Sequence, residues 1–388
     1  MEESQKRSPI ARSIAPHLER DLATKMVFLS GARQAGKTTL ARQLARQRPG
    51  AQVFNWDVLT DRRVMMAQSW APTAPMLVFD ELHKMKGWRD WLKGVFDGRA
   101  PGQAILVTGS ARLDAFRQTG ESLAGRYFAW HLNPVTISEF MAATSSTAED
   151  ALSRILARGG FPEPLLAERV EDADRWRRLY LEGLIRDDIL EFSRLGEVRV
   201  MQHFVDLLRQ RVGSPISLAS MARDLQVSPT TLRRYLDILE TLHIVFLVRP
   251  AHHNIARALL KEPKVYFYDT GLVMGNDGAR FENACGVMLL THVQLQTDRD
   301  GRDMALRYIR DKDGREIDFC IVQNNEPTVL VECKWADPVV STYLRKLAEC
   351  FPQAAAVQVV RHLRQPEQRG PVAVMSAADW LANLCGGF

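Results

Sequence analysis

The 388-residue chain is 46% hydrophobic and 25% charged, proportions of an ordinary globular protein that exclude a disordered or fibrous one. Its 51 Lys+Arg and 46 Asp+Glu leave a mild basic excess, which permits a polyanionic partner without requiring one. No run approaches the ~18 apolar residues of a membrane span, residues Met1 to Pro16 lack a signal-peptide core, and the five cysteines show no C-x-x-C spacing. We therefore expect two or three cytoplasmic domains without a zinc site or a disulfide framework.

A glycine-rich loop follows the first predicted strand, Met26–Leu29. Residues 31–38 read G-A-R-Q-A-G-K-T and lead into a predicted helix, Thr38–Gln47. The glycines let backbone N–H groups surround phosphate oxygens, and the helix N-terminus adds partial positive charge. Lys37 would reach the terminal phosphates and Thr38 would ligate Mg²⁺. We predict that ATP and Mg²⁺ bind here, through Gly31, Arg33, Gln34, Ala35, Gly36, Lys37, Thr38 and Thr39.

Four further strands are predicted downstream, separated by helical or loop segments, which indicates a parallel sheet with crossover helices. They are Gln52–Trp56, Met76–Phe79, Ile105–Thr108 and Tyr127–Leu132. Asp80 and Glu81 directly follow the strand at 76–79. Asp80 suits water-mediated Mg²⁺ binding, and Glu81 can polarise an attacking water. Ser110, after the next strand, either contacts the γ-phosphate or lytic water or simply caps a helix.

Two basic stretches of this region leave alternatives open. Arg126 precedes the fifth strand, where an arginine of an oligomeric ATPase faces the neighbouring subunit's γ-phosphate; Arg112 is a rival, and a surface salt bridge is the other interpretation. Residues 84–89 contain three basic side chains beside a tryptophan. The apolar residues at 88, 91, 92 and 95 have helical spacing, so we assign both tryptophans to the core. Only the basic residues, Lys84, Lys86 and Arg89, remain candidates for nucleic-acid contact.

The middle of the chain is predicted to be helical, with a long helix over 175–194. Before that long helix, the segment Gly159–Pro164 is predicted to be a turn. Ser217 can cap one helix, and Ser228 with Pro229 can start a second, followed by a strand at Val245–Val248. This order is typical of a winged helix-turn-helix, which lays its second helix in a DNA groove. Arg233 and Arg234 would contact DNA, although many winged helices serve only as interaction modules or lids.

Three acidic residues mark the C-terminal region. Glu282 opens a predicted helix, Asp318 lies on the strand Glu316–Ile321, and Glu332 lies on the strand Val329–Lys334 together with Lys334. Carboxylates on neighbouring strands can hold Mg²⁺, and Lys334 could orient water beside a phosphate. The order helix, three strands, helix (343–350), strand (356–360) resembles restriction-endonuclease-like nucleases. An ion pair between Glu332 and Lys334, on a fold kept for binding DNA, is the alternative.

The motifs GARQAGKTTL, FNWD, LVFDELHK, VTGSARL, SLAGR and LNPVTISEF together resemble prokaryotic AAA-type ATPases fused to a C-terminal domain of unknown function. The resemblance runs through nearly the whole chain and implies an additional-strand P-loop sheet and a ring-like assembly. Ala32 stands where members usually carry proline. The Gly159–Pro164 turn resembles the GGxP element that such ATPases place between nucleotide core and helical lid.

We therefore predict an α/β protein in four parts: an AAA-type ATPase core (1–145), a helical lid (146–208), a winged helix (209–260) and a nuclease-like domain (261–388). The expected function is an ATP-hydrolysing motor, a helicase or translocase, on duplex or branched DNA and assembled as a hexameric ring. The alternative is a nucleotide-dependent switch that binds a protein partner and has an inactive C-terminal domain.

Overall fold

The computed structural model describes residues 10–109, 123–190, 195–251, 262–336 and 339–385; it does not describe the side chains of 186–190, 195–197 and 385. The chain forms two compact units. The first contains Met1–Val135 and Glu139–Ser145, and the second contains Thr136–Ser138 and Ser146–Phe388. In the described part of the chain, no helix combines the length and apolarity needed to cross a membrane.

The first unit contains a five-stranded sheet whose strands are all parallel, in the order β2-β3-β4-β1-β5. The strands are β1 (Met26–Ser30), β2 (Gln52–Asn55), β3 (Met76–Asp80), β4 (Ala104–Thr108) and β5 (Tyr127–His131). Strands β1, β3 and β4 are buried throughout, as expected for a sheet covered on both faces. The parallel α/β sheet is confirmed, and β4 lies between β1 and β3 as the additional strand.

Five helices accompany this sheet: α1 (Ala15–Leu22), α2 (Lys37–Arg46), α3 (Leu59–Ala67), α4 (Trp88–Asp97) and α5 (Ile137–Thr144). A short 3₁₀ turn spans Leu82–Lys84. On α4, Trp88, Leu92 and Val95 are buried, and Trp91 packs against the same aromatic core beside Phe79. The assignment of both tryptophans to the core is therefore confirmed.

The second unit begins with helices and ends with a mixed α/β part. Its helices are α6 (Ala148–Arg158), α7 (Pro162–Leu166), α8 (Val170–Leu190), α9 (Leu195–Gln210), α10 (Leu218–Asp224), α11 (Pro229–Thr241), α12 (Asp277–Asp300), α13 (Thr342–Cys350) and α14 (Ala377–Cys385). The long helix α8 starts earlier than the predicted 175, and residues 191–194 lie outside the described ranges.

Helices α10 and α11 begin where the capping residues place them. The Ser217 hydroxyl accepts a hydrogen bond from the Ser220 N–H, and the Ser228 hydroxyl accepts one from the Thr231 N–H at 3.0 Å. The turn between the helices passes through Gln226 at φ 55°. The inner face of α11 is buried, so the helix packs by the predicted spacing of its apolar residues, Leu232, Tyr235, Leu236 and Leu239.

An eight-stranded sheet of order β12-β13-β11-β10-β9-β8-β6-β7 forms the rest of the second unit. The strands are β6 (Val245–Pro250), β7 (Lys264–Phe267), β8 (Met304–Arg310), β9 (Glu316–Gln323), β10 (Glu326–Lys334), β11 (Ala355–Val360), β12 (Glu367–Arg369) and β13 (Val372–Ser376). β6 pairs with β7 antiparallel and with β8 parallel. The predicted boundary at 260 thus falls between two strands of one continuous sheet.

Helix α12 begins earlier than the sequence pattern indicated. Asn276 caps it by accepting a hydrogen bond from the Ala279 N–H at 2.9 Å, so the first helical residue is Asp277. Glu282 lies in the second turn and does not open the helix. The cause is a local cap that outcompetes the weaker start at 280–282.

A buried ion pair explains the glycine turn at 159–164. Arg177 Nε donates to Asp269 Oδ2 at 2.8 Å, and Arg177 Nη2 donates to the Arg158 carbonyl at 3.0 Å. Gly159 has φ 74°, and a Cβ there would overlap Asp269 Oδ1. Burial acts to raise the pKa of the Asp269 carboxyl, against the opposing charge of Arg177. The turn therefore fits closely against a buried charge pair.

Candidate nucleotide-binding site and acidic cluster

The loop before α2 adopts the conformation that its glycines permit. Gly31, Gln34 and Gly36 have φ of 141°, 61° and 103°. A Cβ at Gly31 would overlap the Leu132 carbonyl oxygen, so only glycine fits there. Lys37, the first residue of α2, is buried and donates from Nζ to the Gly31 carbonyl at 2.9 Å and the Ala32 carbonyl at 2.7 Å. The ammonium group is thus held inside the loop.

The other predicted loop residues differ in exposure. Ala35 is buried and Arg33 is half-buried, whereas Gln34 and Thr39 are exposed. The Ala35 carbonyl accepts a hydrogen bond from Arg12 Nη1 at 2.9 Å, and Arg12 Nε lies 3.2 Å from Glu139 Oε2. Arg12 is far from the loop in sequence and belongs to no recognisable motif, so sequence reasoning missed this buried support.

Asp80 at the end of β3 brings three neighbouring elements together. Its Oδ2 accepts from Thr38 Oγ1 at 2.8 Å and from Asn55 Nδ2 at 3.3 Å, while Oδ1 accepts from Thr108 Oγ1. The carboxyl ends of parallel strands meet at one edge of the sheet, which places these groups beside α2. The predicted pair of Thr38 and Asp80 is therefore in contact, with Asp80 buried and Thr38 partly buried. Thr108 and Asn55 donate the other hydrogen bonds to the Asp80 carboxylate.

Glu81 points to two basic neighbours. Its backbone is left-handed at φ 57°, and Oε2 lies 3.3 Å from Lys84 Nζ and 3.7 Å from His83 Nε2. Lys84 also donates to Asp57 Oδ2 at 2.6 Å. Partial burial acts to lower the pKa of Lys84, but Asp57 and Glu81 outweigh it and raise that pKa. Lys84, a candidate for nucleic-acid contact, is therefore engaged by two carboxylates.

Arg126 immediately precedes β5 and makes a bidentate salt bridge. Its Nε and Nη2 donate to Asp97 at 3.0 and 3.2 Å. The bridge is partly exposed, with 31% of the arginine side chain accessible. This is the surface salt bridge that the sequence left as an alternative. Ser110 and Arg112 lie outside the described residues.

The loop and its surroundings fit a nucleoside triphosphate with Mg²⁺. Positive φ at three loop positions gives the loop the tight turns of a phosphate-binding loop, and the buried ammonium group of Lys37, which donates to the Gly31 and Ala32 carbonyls, supplies positive charge. Thr38 and Asp80 offer the oxygen ligands that Mg²⁺ prefers. Glu81 is the next residue along, so an acid stands beside the magnesium ligands.

On the second unit, the outer face of α11 is exposed and basic. Arg233 and Arg234 are both exposed, and Arg234 lies 5.6 Å from the Tyr235 ring centroid. A groove of about 440 Å³ separates the start of α11 from the start of α10. It is lined by Ile216, Ser217, Leu218, Ala219, Pro229, Thr230, Arg233, Glu262 and Pro263. Glu262 makes the groove itself a mixed-charge surface.

The C-terminal acidic residues are only partly brought together. Glu282, Asp318 and a further carboxylate, Glu316, surround the Nζ of Lys264 at 3.4, 3.7 and 3.1 Å. Glu332 turns elsewhere: it pairs with Lys334 at 2.7 Å and accepts from the Ser341 hydroxyl at 2.6 Å. Across the described ranges, no three His, Cys, Asp or Glu side chains are arranged to hold a metal ion. The second metal site stays a prediction, and this geometry does not support it.

Comparison with known proteins agrees with the loop geometry. Residues 23–141 match a family model described as an AAA domain. Residues 149–279 and 277–379 match two models described as domains of unknown function, DUF8612 and DUF4143. The AAA-domain match covers most of the first unit and supports a P-loop ATPase of the AAA type there.

Individual relatives extend over most of the chain. An uncharacterized protein of Mycobacterium tuberculosis is 29% identical over 362 residues, covering 88% of this chain and 80% of the relative. An uncharacterized protein of Methanocaldococcus jannaschii is 24% identical over 274 residues, covering 66% and 60%. Among solved structures, the Walker-type ATPase PABY2304 of Pyrococcus abyssi is 15% identical, with 70% and 97% coverage and a TM-score of 0.45.

Proposed function

We propose that this protein is an ATP-driven motor that acts on duplex or branched DNA. The observation that carries the ATPase half is the meeting of Lys37, Thr38 and Asp80 at one sheet edge, with Glu81 as the next residue. This arrangement provides a phosphate-binding lysine, two oxygen ligands and a water-polarising acid within one site.

Each residue of this site has a separate task. Lys37 supplies positive charge for the terminal phosphates, and the loop backbone around Gly31 and Gly36 orients them. Thr38 and Asp80 would hold Mg²⁺, which when bound would neutralise charge on the phosphates. Glu81 accepts a proton from the attacking water. Thr108 and Asn55 fix the orientation of the Asp80 carboxylate, so that one oxygen stays directed at Thr38.

The DNA half of the proposal rests on α10 and α11. Ser217 and Ser228 cap two helices joined by a tight turn, and α11 presents Arg233 and Arg234 to solvent on its outer face. Strands β6 and β7 follow in antiparallel pairing, the order of a winged helix. Two exposed arginines on a second helix suit the phosphate backbone of a duplex.

The motor is proposed to assemble as a ring in which Arg126 acts at the interface between neighbouring subunits. In such a ring Arg126 would exchange its bond with Asp97 for the γ-phosphate bound to a neighbouring subunit. The bond to Asp97 is partly exposed and so is inexpensive to break.

A nucleotide-dependent switch that binds a protein partner is the second candidate. It is favoured by the pairing of β6 with β8, which builds the strands after α11 into the C-terminal sheet. The helix pair α10–α11, joined to that sheet through β6, would then serve as a structural module without contacting DNA.

The rate of ATP hydrolysis separates the two functions. It would be measured with Mg²⁺ in the absence of DNA and with single-stranded, duplex and four-way-junction DNA of equal nucleotide content. A motor must couple hydrolysis to its track, so the proposal expects faster turnover with at least one DNA form. Equal rates in all four samples would favour the switch.

A further inference from the structure

Lys264 is the most unusual charged side chain in the described part of the second unit. It lies on β7 with 0% of its side chain exposed, although lysine is among the residues least often buried. Its Nζ is within 4 Å of three carboxylates, those of Glu282, Glu316 and Asp318. These carboxylates come from two elements, Glu282 from α12 and Glu316 and Asp318 from the start of β9, and they converge on one ammonium group.

The charge balance of this cluster depends on Lys264. Burial acts to lower the pKa of the lysine, but Glu282, Asp318 and Glu316 outweigh it, and the net pKa is raised above its ordinary value. The three carboxylates within 4 Å of Nζ are partners for an ammonium ion and not for a neutral amine. Burial and the charge of Glu282 raise the pKa of Asp318 to about 7, and Lys264 acts against that rise. Removing the lysine would leave three carboxylates without a cation.

The carboxylates are further held by neutral groups. Tyr266 donates from its hydroxyl to Glu282 Oε1 at 2.7 Å, and the Cys333 N–H donates to Asp318 Oδ2 at 2.8 Å. Gly213, at φ 78°, packs closely on Glu282, where a Cβ would come within 2.8 Å of Oε2. The cluster is thus packed and hydrogen-bonded, and each of its three carboxylates has at least one oxygen engaged by a protein group.

Glu332, the third carboxylate predicted to hold the metal, does not join this cluster. Both oxygens of Glu332 are occupied, Oε1 by Lys334 and Oε2 by Ser341. The carboxylates that do converge, those of Glu282, Glu316 and Asp318, face the ammonium group of Lys264. The residues present therefore do not fit a divalent metal.

We propose that Lys264 is the resident cation of this cluster, and that its ammonium group takes the place a divalent metal would need. The C-terminal sheet then carries a nuclease-like set of acidic residues that binds no metal and performs no metal-dependent cleavage of DNA. This inference concerns the second unit alone, so it stands or falls independently of whether the ATPase acts on DNA.

Mn²⁺ binding to the full chain without nucleotide tests the proposal. The samples are the wild type, Lys264→Met, Lys264→Met with Asp318→Asn, and Lys334→Met as the matched control. Methionine keeps the length of lysine and removes its charge. We expect Lys264→Met to gain one Mn²⁺ site that the added Asp318→Asn removes, and the control to gain none. A folded Lys264→Met without a new site would overturn the proposal.

A second measurement does not depend on the folding of Lys264→Met. The melting temperature of the wild type and of Asp318→Asn is recorded with and without millimolar Mn²⁺. If Lys264 is the resident cation, Mn²⁺ shifts both proteins equally, because neither binds it at the cluster. A larger rise in the wild type, or Mn²⁺-dependent DNA cleavage that Asp318→Asn abolishes, would show a metal site and overturn the proposal.

Discussion

At the scale of single residues, Lys37 and Glu81 belong to the same proposed site but have different surroundings. Lys37 is buried in the loop and bonded to its carbonyls, whereas Glu81 is partly exposed beside Lys84. A buried cation contributes to phosphate binding in the ground state, while an acid that polarises water contributes only as the reaction proceeds. Their substitutions should therefore separate nucleotide binding from turnover.

We expect Lys37→Ala to abolish ATP hydrolysis by weakening nucleotide binding. Glu81→Gln should keep binding near the wild-type level and lower turnover by about 10²–10⁴-fold, the usual contribution of general base catalysis. Titration with a fluorescent ATP analogue measures binding, and phosphate release measures turnover. Equal loss of binding in both variants would contradict these roles.

The sequence predicted the residues that stand in local motifs and missed two residues, Arg12 beside the nucleotide loop and Lys264 in the acidic cluster, whose partners are distant in the chain. Lys37, Thr38 and Asp80 stand in motifs whose spacing fixes their positions, because a loop between a strand and a helix has few alternatives. Arg12 and Lys264 carry no such pattern. Each meets its partners only after distant segments pack together, as when β7 brings Lys264 against α12 and β9. A lysine in the apolar strand K-V-Y-F was the one available signal.

At the scale of elements, the helix pair α10–α11 was predictable because its caps are local. Ser217, Ser228 and Pro229 each act within one turn of their own helix. The joining of β6 and β7 to the C-terminal sheet was not predictable, since strand order depends on contacts between residues far apart in the chain. The four-part division of the chain consequently stays a proposal.

Loss of the two arginines of α11 should weaken DNA binding and its dependence on salt. We expect Arg233→Ala with Arg234→Ala to reduce the log–log salt slope by about one for each lost phosphate contact. The exposed basic pair Arg345 and Lys346 on α13 gives the matched control, since its removal changes net charge equally. Fluorescence anisotropy at several salt concentrations measures both. Identical affinity and slope in the α11 variant and the wild type would make the helix a lid.

The turn at Gly159 should be a stability determinant. Gly159→Ala would force a methyl group onto Asp269, which is buried with Arg177, so we expect a loss of about 3 kcal/mol or more. Gly301→Ala is the control: its φ of 67° is also positive, but nothing lies within 4 Å of the added Cβ. Backbone strain alone costs about 1–2 kcal/mol there. Urea denaturation measures the free energy of unfolding of both variants. Equal losses would show that the clash with Asp269 does not contribute.

At the scale of the whole molecule, the proposed ring needs residues of two subunits at each nucleotide site. Arg126 is bound to Asp97 within its own subunit, and its proposed partner is a phosphate on another subunit. In the proposed ring, the same arginine would leave Asp97 and complete the nucleotide site of a neighbouring subunit.

Mixing two inactive variants tests this arrangement. Lys37→Ala lacks phosphate binding and Arg126→Ala lacks the arginine, so a mixed ring contains some interfaces with both residues intact. We expect each variant alone to hydrolyse ATP slowly and the mixture to recover part of the activity. No recovery at any ratio, with assembly verified by light scattering, would exclude action in trans.

The most direct test of the central claim is ATP turnover measured while duplex DNA is titrated into the wild type, the Arg233→Ala with Arg234→Ala variant, and the Arg345→Ala with Lys346→Ala control at one salt concentration. Coupling between the nucleotide site and α11 predicts a saturable rise in turnover for the wild type and the control. The α11 variant should need several-fold more DNA to reach half of that rise. A wild-type rate that stays flat across the titration, or three curves that coincide, would contradict the account.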